Sequence, residues 1–230
     1  MIEGIKKIGF DADDTLWVNE IFFRETEQKF YKLLSDFADE KTIETELYRT
    51  EMNNMQLYGY GVKAFILSVV ETAYKIAGDK LSPNIVDQII KLGKDQLQRK
   101  VELLDGVEDT LNALVGRYEL ILVTKGDLLD QERKLSLSGI EHLFHHVEIM
   151  SDKTKREYER LLRRINVLPE EFMMIGNSLR SDILPPLALG SYAVYVPYHT
   201  TWEHERVDEP VESPRLFTVD SLWDIVGLLP

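Results

Sequence analysis

Three carboxylates and a hydroxyl follow one another closely near the N-terminus, directly after an apolar run. Residues 5–10 form the run, and Asp11, Asp13, Asp14 and Thr15 follow it. The run predicts a buried strand, because a short apolar stretch is typical of a strand covered on both faces. Desolvated carboxylates that repel one another are unfavourable unless a cation or a proton compensates them. The pattern therefore indicates a chemical role rather than packing alone.

Later apolar runs also end in polar residues. In an extended segment, residues two apart point the same way, so Asp11 and Asp13 can converge while Asp14 diverges. The further candidates at later strand ends, in chain order, are Thr124, Lys153, Asn177, Ser178 and Asp182. A single threonine after a strand usually caps a helix, and a single lysine is usually solvated. Their joint occurrence at successive strand ends is much harder to obtain by chance.

The remaining pattern indicates which elements position these residues. From residue 19 to residue 100 apolar residues recur at helical spacing, with no convincing strand. From residue 101 onwards, strands predicted at 120–123, 147–150, 172–175, 193–196 and 216–217 alternate with helices. The last two helices are predicted at 181–189 and 221–228. This alternation predicts an α/β fold, in which a Rossmann-like parallel sheet has helices on both faces.

We therefore predict a catalytic core of residues 1–17 and 101–230, with an inserted α-helical cap domain of residues 18–100. The insertion begins immediately after the acidic residues. Because ligands of open parallel sheets bind beyond the carboxyl ends of the strands, we expect the cap above those strand ends. A segment rich in acids and proline, residues 203–214, is predicted to be a surface excursion.

Composition excludes several classes of protein. The 230 residues are 44% hydrophobic, which is enough for a substantial core, and carry a formal net charge of -13. That charge argues against nucleic acid or an anionic membrane as a partner. The chain has no cysteine, so disulfides, zinc–thiolate sites and thiol nucleophiles are excluded. With no signal-peptide pattern and no apolar run of membrane-spanning length, we expect a cytoplasmic protein.

Taken together, the candidate residues resemble the motifs of the haloacid dehalogenase-like hydrolase superfamily, in particular its phosphatases with a helical cap between the first two motifs. The first motif, Asp-x-Asp-x-Thr after an apolar strand, is present at residues 11–15. The second, an apolar strand ending in Thr or Ser, and the third, a Lys before a helix, match Thr124 and Lys153. The fourth, an acidic strand end, is matched in part by residues 176–182. The resemblance covers essentially the whole chain.

The resemblance implies a mechanism and names its residues. Asp11 would attack phosphorus and form an aspartyl-phosphate intermediate. Asp13 would protonate the leaving oxygen and then deprotonate the hydrolytic water. Thr124 and Lys153 would hold the phosphoryl oxygens. We assign the third motif to Lys153 rather than Lys155, because it is closer to the strand end.

The resemblance also implies a Mg²⁺ site. Asp11, the backbone carbonyl of Asp13 and the fourth motif would supply oxygen ligands, which suit this hard cation. The family usually has Asp where this chain has Asn177. An amide oxygen can still bind Mg²⁺ but carries no charge, so we expect Asp182 to supply the missing charge directly or through water.

Substrate specificity is expected to reside in the cap. Tyr58, Tyr60 and Lys63 lie in a glycine-punctuated break between two predicted helices, where a loop could contact a small phosphorylated metabolite. Packing of the tyrosines and solvation of Lys63 explain this break equally well. Lys125 could add positive charge near the phosphate, although a structural role accounts for it at least as readily.

Three alternatives to a phosphatase stay open on the sequence. A phosphomutase would use the same residues. A phosphate-ester-binding regulatory protein on a degenerate catalytic scaffold would account for Asn177. A 2-haloacid dehalogenase is the weakest alternative, because the dehalogenases of this superfamily lack the second aspartate of the first motif, which is present here as Asp13.

Overall fold

A six-stranded parallel sheet organises the larger part of the chain. The computed structural model describes all 230 residues. The strands are β1 (Lys7–Phe10), β2 (Glu119–Lys125), β3 (His146–Met150), β4 (Phe172–Gly176), β5 (Tyr192–Tyr195) and β6 (Leu216–Thr218). Their order in the sheet is β3-β2-β1-β4-β5-β6. The first strand therefore lies between the second and the fourth, and the chain crosses over on opposite sides of it.

Nine α-helices accompany the sheet. They are α1 (Glu20–Leu33), α2 (Glu40–Tyr58), α3 (Val62–Ala77), α4 (Pro83–Leu97), α5 (Val107–Leu114), α6 (Leu128–Ser138), α7 (Lys155–Arg164), α8 (Leu184–Leu187) and α9 (Ile225–Leu228). None of them combines the length and the apolar character that a membrane span needs.

Alternate residues of the central strands pack into two different apolar clusters. Leu120 and Leu122 of β2 belong to one cluster with residues of α5 and α9, whereas Ile121 and Val123 belong to the other with residues of α7. Because successive side chains of a strand point to opposite faces, both faces of the sheet are covered by helices. The predicted α/β Rossmann-like core, a parallel sheet with helices on both faces, is confirmed.

Two compact units account for the whole chain. One comprises residues 1–20, 101–125 and 131–230, and the other comprises residues 21–100 and 126–130. The second unit is helical, with an apolar core of its own that includes Phe30, Leu47, Phe65 and Ile89. Within a helix the members of this core recur at helical spacing, as Ile43 and Leu47 do in α2 and Phe65, Val69 and Ala73 in α3, as expected of a helical domain inserted between β1 and β2.

Two helices differ from their predicted form. In place of a regular helix over 181–189, Leu179–Ile183 form a π-helical turn that leads into the short α8, which contains two prolines. Proline lacks an N–H and restricts the residue before it, so a longer regular helix is unfavourable here. The predicted C-terminal helix, 221–228, is divided into a 3₁₀ turn at Leu222–Asp224 and α9.

Candidate active site

The acidic residues occupy a tight turn at the carboxyl end of β1. Phe10 is in register with residues of both neighbouring strands, and the N–H of Asp11 still donates to the carbonyl of Ile175 in β4 at 2.9 Å. Beyond it the carbonyl of Ala12 accepts from the N–H of Leu16 at 2.8 Å. This turn places the first-motif side chains at the edge of the sheet where β2 and β4 also end.

Asp11 is buried beside a lysine and a second aspartate. Its Oδ1 accepts from Lys153 Nζ, and its Oδ2 accepts from the hydroxyl of Thr15 at 2.9 Å. The same Lys153 Nζ donates to Asp182 Oδ1 at 2.7 Å. Burial raises the pKa of Asp11 to about 7; the charge of Asp182 adds to the rise and that of Lys153 opposes it. The pKa of this carboxyl group thus lies near neutral pH.

Lys153, and not Lys155, reaches this cluster. Only 3% of Lys153 is exposed, whereas Lys155 is an exposed residue of the first turn of α7. Burial alone would lower the pKa of Lys153, but the charges of Asp11 and Asp182 outweigh it and hold the pKa above its ordinary value. A buried ammonium between two carboxylates is therefore a permanent positive charge at the strand ends.

Asp13 is held away from this cluster by three donors. Its carboxylate accepts from Trp17 Nε1 at 2.6 Å, from Gln131 Nε2 at 2.8 Å and from Lys134 Nζ at 2.8 Å. Burial favours the neutral form, yet the charge and hydrogen bond of Lys134, together with the other two donors, hold the pKa of Asp13 below its ordinary value. In this arrangement Asp13 is a fixed, ionised carboxylate.

The Asp11 carboxylate, the carbonyl oxygen of Asp13 and the side-chain amide of Asn177 lie close together. One end of the Asn177 side-chain amide lies 3.2 Å from the carbonyl oxygen of Asp13, and 3.2 Å from Asp11 Oδ2. With its nitrogen on this side, the amide donates to both oxygens. With its oxygen on this side, it accepts from the hydroxyl of Thr15 at 3.2 Å and faces the other two oxygens, an arrangement that a cation can compensate. This donor set of one carboxylate, one carbonyl and one amide fits Mg²⁺.

Asp182 shares Lys153 with Asp11. Its Oδ1 accepts from Lys153, and its Oδ2 accepts from the N–H of Ser178 at 3.0 Å. A Cβ at Gly176 would lie within 2.3–2.5 Å of side-chain atoms of Asp182, so only glycine fits the end of β4. No set of three or more histidine, aspartate or glutamate side chains is placed to hold a metal ion. The negative charge of Asp182 faces Lys153 and helps to keep that lysine protonated.

A fourth acidic residue reaches the strand ends from the excursion after β5. Glu205 accepts from Lys125 Nζ, from the hydroxyl of Ser178 and, at 2.7 Å, from the hydroxyl of Ser181. Burial opposes its charge, but Lys125 and the hydrogen bonds from both serines prevail and lower the pKa of Glu205 to about 2. Lys125 is therefore paired within this network, and also donates to Ser181 Oγ at 2.9 Å.

Asp14 has a structural role. Its φ of 62° places it in the left-handed region, which aspartate tolerates better than most residues. Its carboxylate accepts from the backbone N–H groups of Asn19 and Glu20, at 2.8 Å and 2.9 Å. Asp14 thus satisfies the first N–H groups of α1, and the Asn19 side chain accepts from Lys134 at 2.8 Å.

Comparison with known proteins decides the family. A family model described as haloacid dehalogenase-like hydrolase matches residues 5–190. The chain is a member of the haloacid dehalogenase-like hydrolases. This hydrolase is 36% identical to a hydrolase of the same family from Xanthomonas campestris, whose crystal structure superposes with a TM-score of 0.88 over 98% of this chain and 90% of the other.

Two curated relatives of this hydrolase are phosphatases. A glyceraldehyde 3-phosphate phosphatase from Methanopyrus kandleri is 27% identical over 187 residues, or 78% of each chain. Another from Methanothermobacter thermautotrophicus is 26% identical, and the comparison covers 88% of this chain and 89% of the relative. The predicted family and enzyme class, a haloacid dehalogenase-like phosphoric monoester hydrolase, are confirmed.

The residues singled out for substrate specificity lie in the helical unit of this hydrolase. Tyr58, the last residue of α2, is exposed and donates to Glu71 at 2.7 Å. Tyr60 is partly exposed in the break before α3. Lys63 forms an ion pair with Asp127, with Nζ–O distances of 2.9 and 3.1 Å. The break itself is as predicted, since glycines at 59 and 61 both have positive φ.

Thr124, the predicted second-motif residue, is the penultimate residue of β2 and only 1% exposed.

Several residues at the strand ends could not be identified from the sequence. The neighbours that sequence did not reveal are Trp17, Gln131, Lys134, Ser181 and Glu205. Gln131 and Lys134 are three apart on α6 and so face the same side, which is a helical signal but not one that names a partner. Nothing local distinguishes Glu205 from the other acids of its segment.

Proposed function

We propose that this hydrolase is a Mg²⁺-dependent phosphatase that cleaves a small phosphorylated metabolite through an aspartyl-phosphate intermediate. The observation that carries the proposal is the buried Asp11 carboxylate, which contacts Lys153 on one oxygen and faces Asn177 with the other. A nucleophilic carboxylate needs one oxygen near a positive charge and a path to phosphorus. Lys153 supplies the charge, and it can also bind a phosphoryl oxygen.

In the first step, an oxygen of Asp11 attacks phosphorus and the bond between phosphorus and the ester oxygen breaks. The leaving oxygen takes a proton from Asp13. In the second step, Asp13 accepts a proton from water, the water oxygen attacks phosphorus, and the bond to Asp11 breaks to release inorganic phosphate. General acid–base catalysis of this kind contributes about a hundredfold to ten-thousandfold in rate.

The donors around Asp13 bear on this role. Trp17, Gln131 and Lys134 fix its carboxylate and favour the ionised form. That form suits the second step, in which Asp13 is a base. For the first step Asp13 must carry a proton, so we infer that its contact with Lys134 loosens when substrate binds.

Mg²⁺ would be held by Asp11, the carbonyl of Asp13 and Asn177. Asp182, which accepts a hydrogen bond from Lys153, would add negative charge close to this site. When bound, the ion would neutralise the carboxylates and the phosphoryl oxygens as they approach each other. Thr124 and Lys153 would hold the remaining phosphoryl oxygens.

We further propose glyceraldehyde 3-phosphate and related sugar phosphates as the first substrates to assay, because both curated relatives carry that activity in their names. Tyr58, Tyr60 and Lys63 stay our candidates for substrate contact from the cap. Lys125 stays a candidate as well, although its pairing with Glu205 favours an indirect effect on the phosphate.

The test is hydrolysis of p-nitrophenyl phosphate and of a panel of phosphorylated metabolites, with Mg²⁺ and with EDTA. We expect turnover that EDTA abolishes, and a loss of at least about a thousandfold in Asp11→Asn, since the nucleophile is removed. Asp36→Asn is the matched control, because Asp36 is an exposed residue after α1. Activity that is indifferent to EDTA, or that survives in Asp11→Asn, would contradict the proposal.

The panel also separates the alternatives. Binding of a phosphate ester without turnover would favour a regulatory protein, for which Asn177 is the supporting observation. Transfer to a second hydroxyl instead of water would indicate a mutase. Chloride release from a 2-haloacid would be needed to support a dehalogenase.

A further inference from the structure

The excursion between β5 and β6 contributes one side chain to the interior. From residue 197 to residue 214, Glu205 is the least exposed residue, and only 9% of it is exposed. Glutamate is almost never buried unless it is paired. A buried carboxylate in a segment whose other residues are exposed or only partly buried therefore needs a specific reason, and its partners supply one.

Both oxygens of Glu205 are occupied. Oε1 accepts from Lys125 Nζ, and Oε2 accepts from the hydroxyls of Ser178 and Ser181. The ring closes, because Lys125 Nζ also donates to Ser181 Oγ and the N–H of Ser181 donates to Ser178 Oγ at 3.0 Å. The carboxylate of Glu205 thus holds three residues from two other segments, with donors and acceptors matched.

The partners of Glu205 adjoin proposed catalytic and metal-site residues. Ser178 follows Asn177 directly, Ser181 precedes Asp182, and Lys125 follows Thr124. Within the turn, the N–H of Asp182 donates to the carbonyl of Ser178 at 2.8 Å. A shift of either serine would therefore carry Asn177 or Asp182 with it.

We propose that Glu205 is a positioning residue for the Mg²⁺ site: it holds the turn from Ser178 to Asp182 so that Asn177 faces Asp11. Glu205 contacts none of the proposed metal ligands and acts only through the two serines. This inference rests on the proposed function in that it assigns Mg²⁺ to the oxygen atoms next to Asp11. It adds a residue that lies outside all four motifs.

The experiment compares Glu205→Gln, Glu205→Ala and the wild-type protein. Calorimetry without substrate measures Mg²⁺ binding directly, and the Mg²⁺ concentration at half-maximal turnover of p-nitrophenyl phosphate is measured in parallel. We expect Glu205→Ala to weaken Mg²⁺ binding by roughly tenfold to a hundredfold, as for other residues that orient metal ligands. Glu205→Gln, which keeps the shape and one acceptor, should lie between Glu205→Ala and wild type.

A split in the kinetics separates positioning from a general loss of structure. Excess Mg²⁺ should restore most of kcat in the Glu205 variants while leaving KM for the ester near the wild-type value. Glu203→Gln is the control, because Glu203 lies in the same 3₁₀ turn but is exposed and pairs with Arg206. It should behave as wild type in both measurements.

Two negative results have different meanings. Wild-type Mg²⁺ affinity in folded Glu205→Gln and Glu205→Ala would overturn the inference and leave the proposed function standing. A wild-type protein that neither binds Mg²⁺ nor depends on it would overturn both. If Glu205→Ala does not fold, the nearly isosteric Glu205→Gln decides the matter by itself.

Discussion

Asn177 lies within reach of two oxygens that a metal ion would also contact, and it brings no charge. Its amide end is 3.2 Å from Asp11 Oδ2 and 3.2 Å from the carbonyl of Asp13. Asp182, the acidic residue of the fourth motif, is engaged elsewhere, since it accepts from Lys153 and from the N–H of Ser178. The affinity for Mg²⁺ should therefore be limited by charge rather than by the number of oxygen ligands.

Replacing Asn177 with aspartate tests this limit. We expect Asn177→Asp to bind Mg²⁺ about tenfold more tightly, because a second carboxylate then faces the ion. Without metal the same change should lower the free energy of unfolding by about 1–3 kcal/mol, since the new carboxylate has lost the amide donor and faces two other oxygens. Calorimetry and urea unfolding in EDTA measure the two effects.

The control for this substitution is Asn112→Asp. Asn112 is exposed on α5 and its side chain donates only to the carbonyl of Glu108, at 2.8 Å, so neither quantity should change. Unchanged Mg²⁺ affinity in Asn177→Asp would mean that Asn177 is not a ligand.

Whether a site residue could be predicted from the sequence depends on how far its partners lie from it along the chain. Asp11, Asp13 and Thr15 could be identified because they are adjacent to one strand and spaced by its period. The partnership of Asp13 with Lys134 could not, because 121 residues separate them and no local pattern encodes the contact. Glu205 is a similar case, with 80 residues between it and Lys125.

Strand β1 is the element on which the site depends, and its packing is unusually close at Gly9. A Cβ on this glycine would lie 2.6 Å from Phe172 Cζ and 2.9 Å from Met174 Sδ, both in the neighbouring β4. Both of these side chains are fully buried. They have little freedom to move aside, because protein interiors are packed as densely as organic crystals.

Gly9→Ala should therefore lower the free energy of unfolding by about 1–3 kcal/mol, the usual effect of overpacking a core. The comparison variant is Gly227→Ala in α9, where a Cβ would meet no atom within 4 Å. That change should raise stability by about 0.4–1 kcal/mol through the unfolded chain. Urea unfolding of both variants gives the two values; equal stability of Gly9→Ala and wild type would be inconsistent with this packing.

Among the elements, strands and long helices could be predicted and short ones could not. Buried strands stand out as apolar runs bounded by polar residues, and the cap helices show a clear helical period. The π-helical turn at Leu179–Ile183 leaves no such signature, because long-range contacts from Lys153 and Glu205 help to hold it. Its departure from regular geometry coincides with the fourth motif, as π-helical turns often coincide with functional sites.

For the whole molecule, pH should act on stability through Glu205. Its pKa in the folded protein is about 2, compared with the ordinary 4.5. Above pH 4.5 the carboxylate is ionised in both the folded and the unfolded chain, so its stabilising contribution is fully present. As pH falls from 4.5 towards 2, the unfolded chain takes up the proton first and the contribution is progressively lost.

The difference in unfolding free energy between wild type and Glu205→Gln should therefore be largest near neutral pH, on the order of 1–3 kcal/mol. It should shrink when urea unfolding is repeated at pH values below 4.5. Glu203→Gln, on the exposed side of the same turn, should show no comparable trend. A difference that grows on acidification would contradict the ion pair between Glu205 and Lys125.

The amide of Asn177 also bears on the stability of the protein without a bound ion. With its nitrogen turned inward, it occupies the hydrogen-bonding capacity of the Asp13 carbonyl and of Asp11. An aspartate at this position would leave those oxygens opposed by a third. With the amide nitrogen inward, the oxygens at the end of β1 need no cation to compensate them, and a half-turn of the same amide turns its own oxygen towards them. On the proposed function, such a side chain would favour a stable metal-free protein over the tightest binding of Mg²⁺.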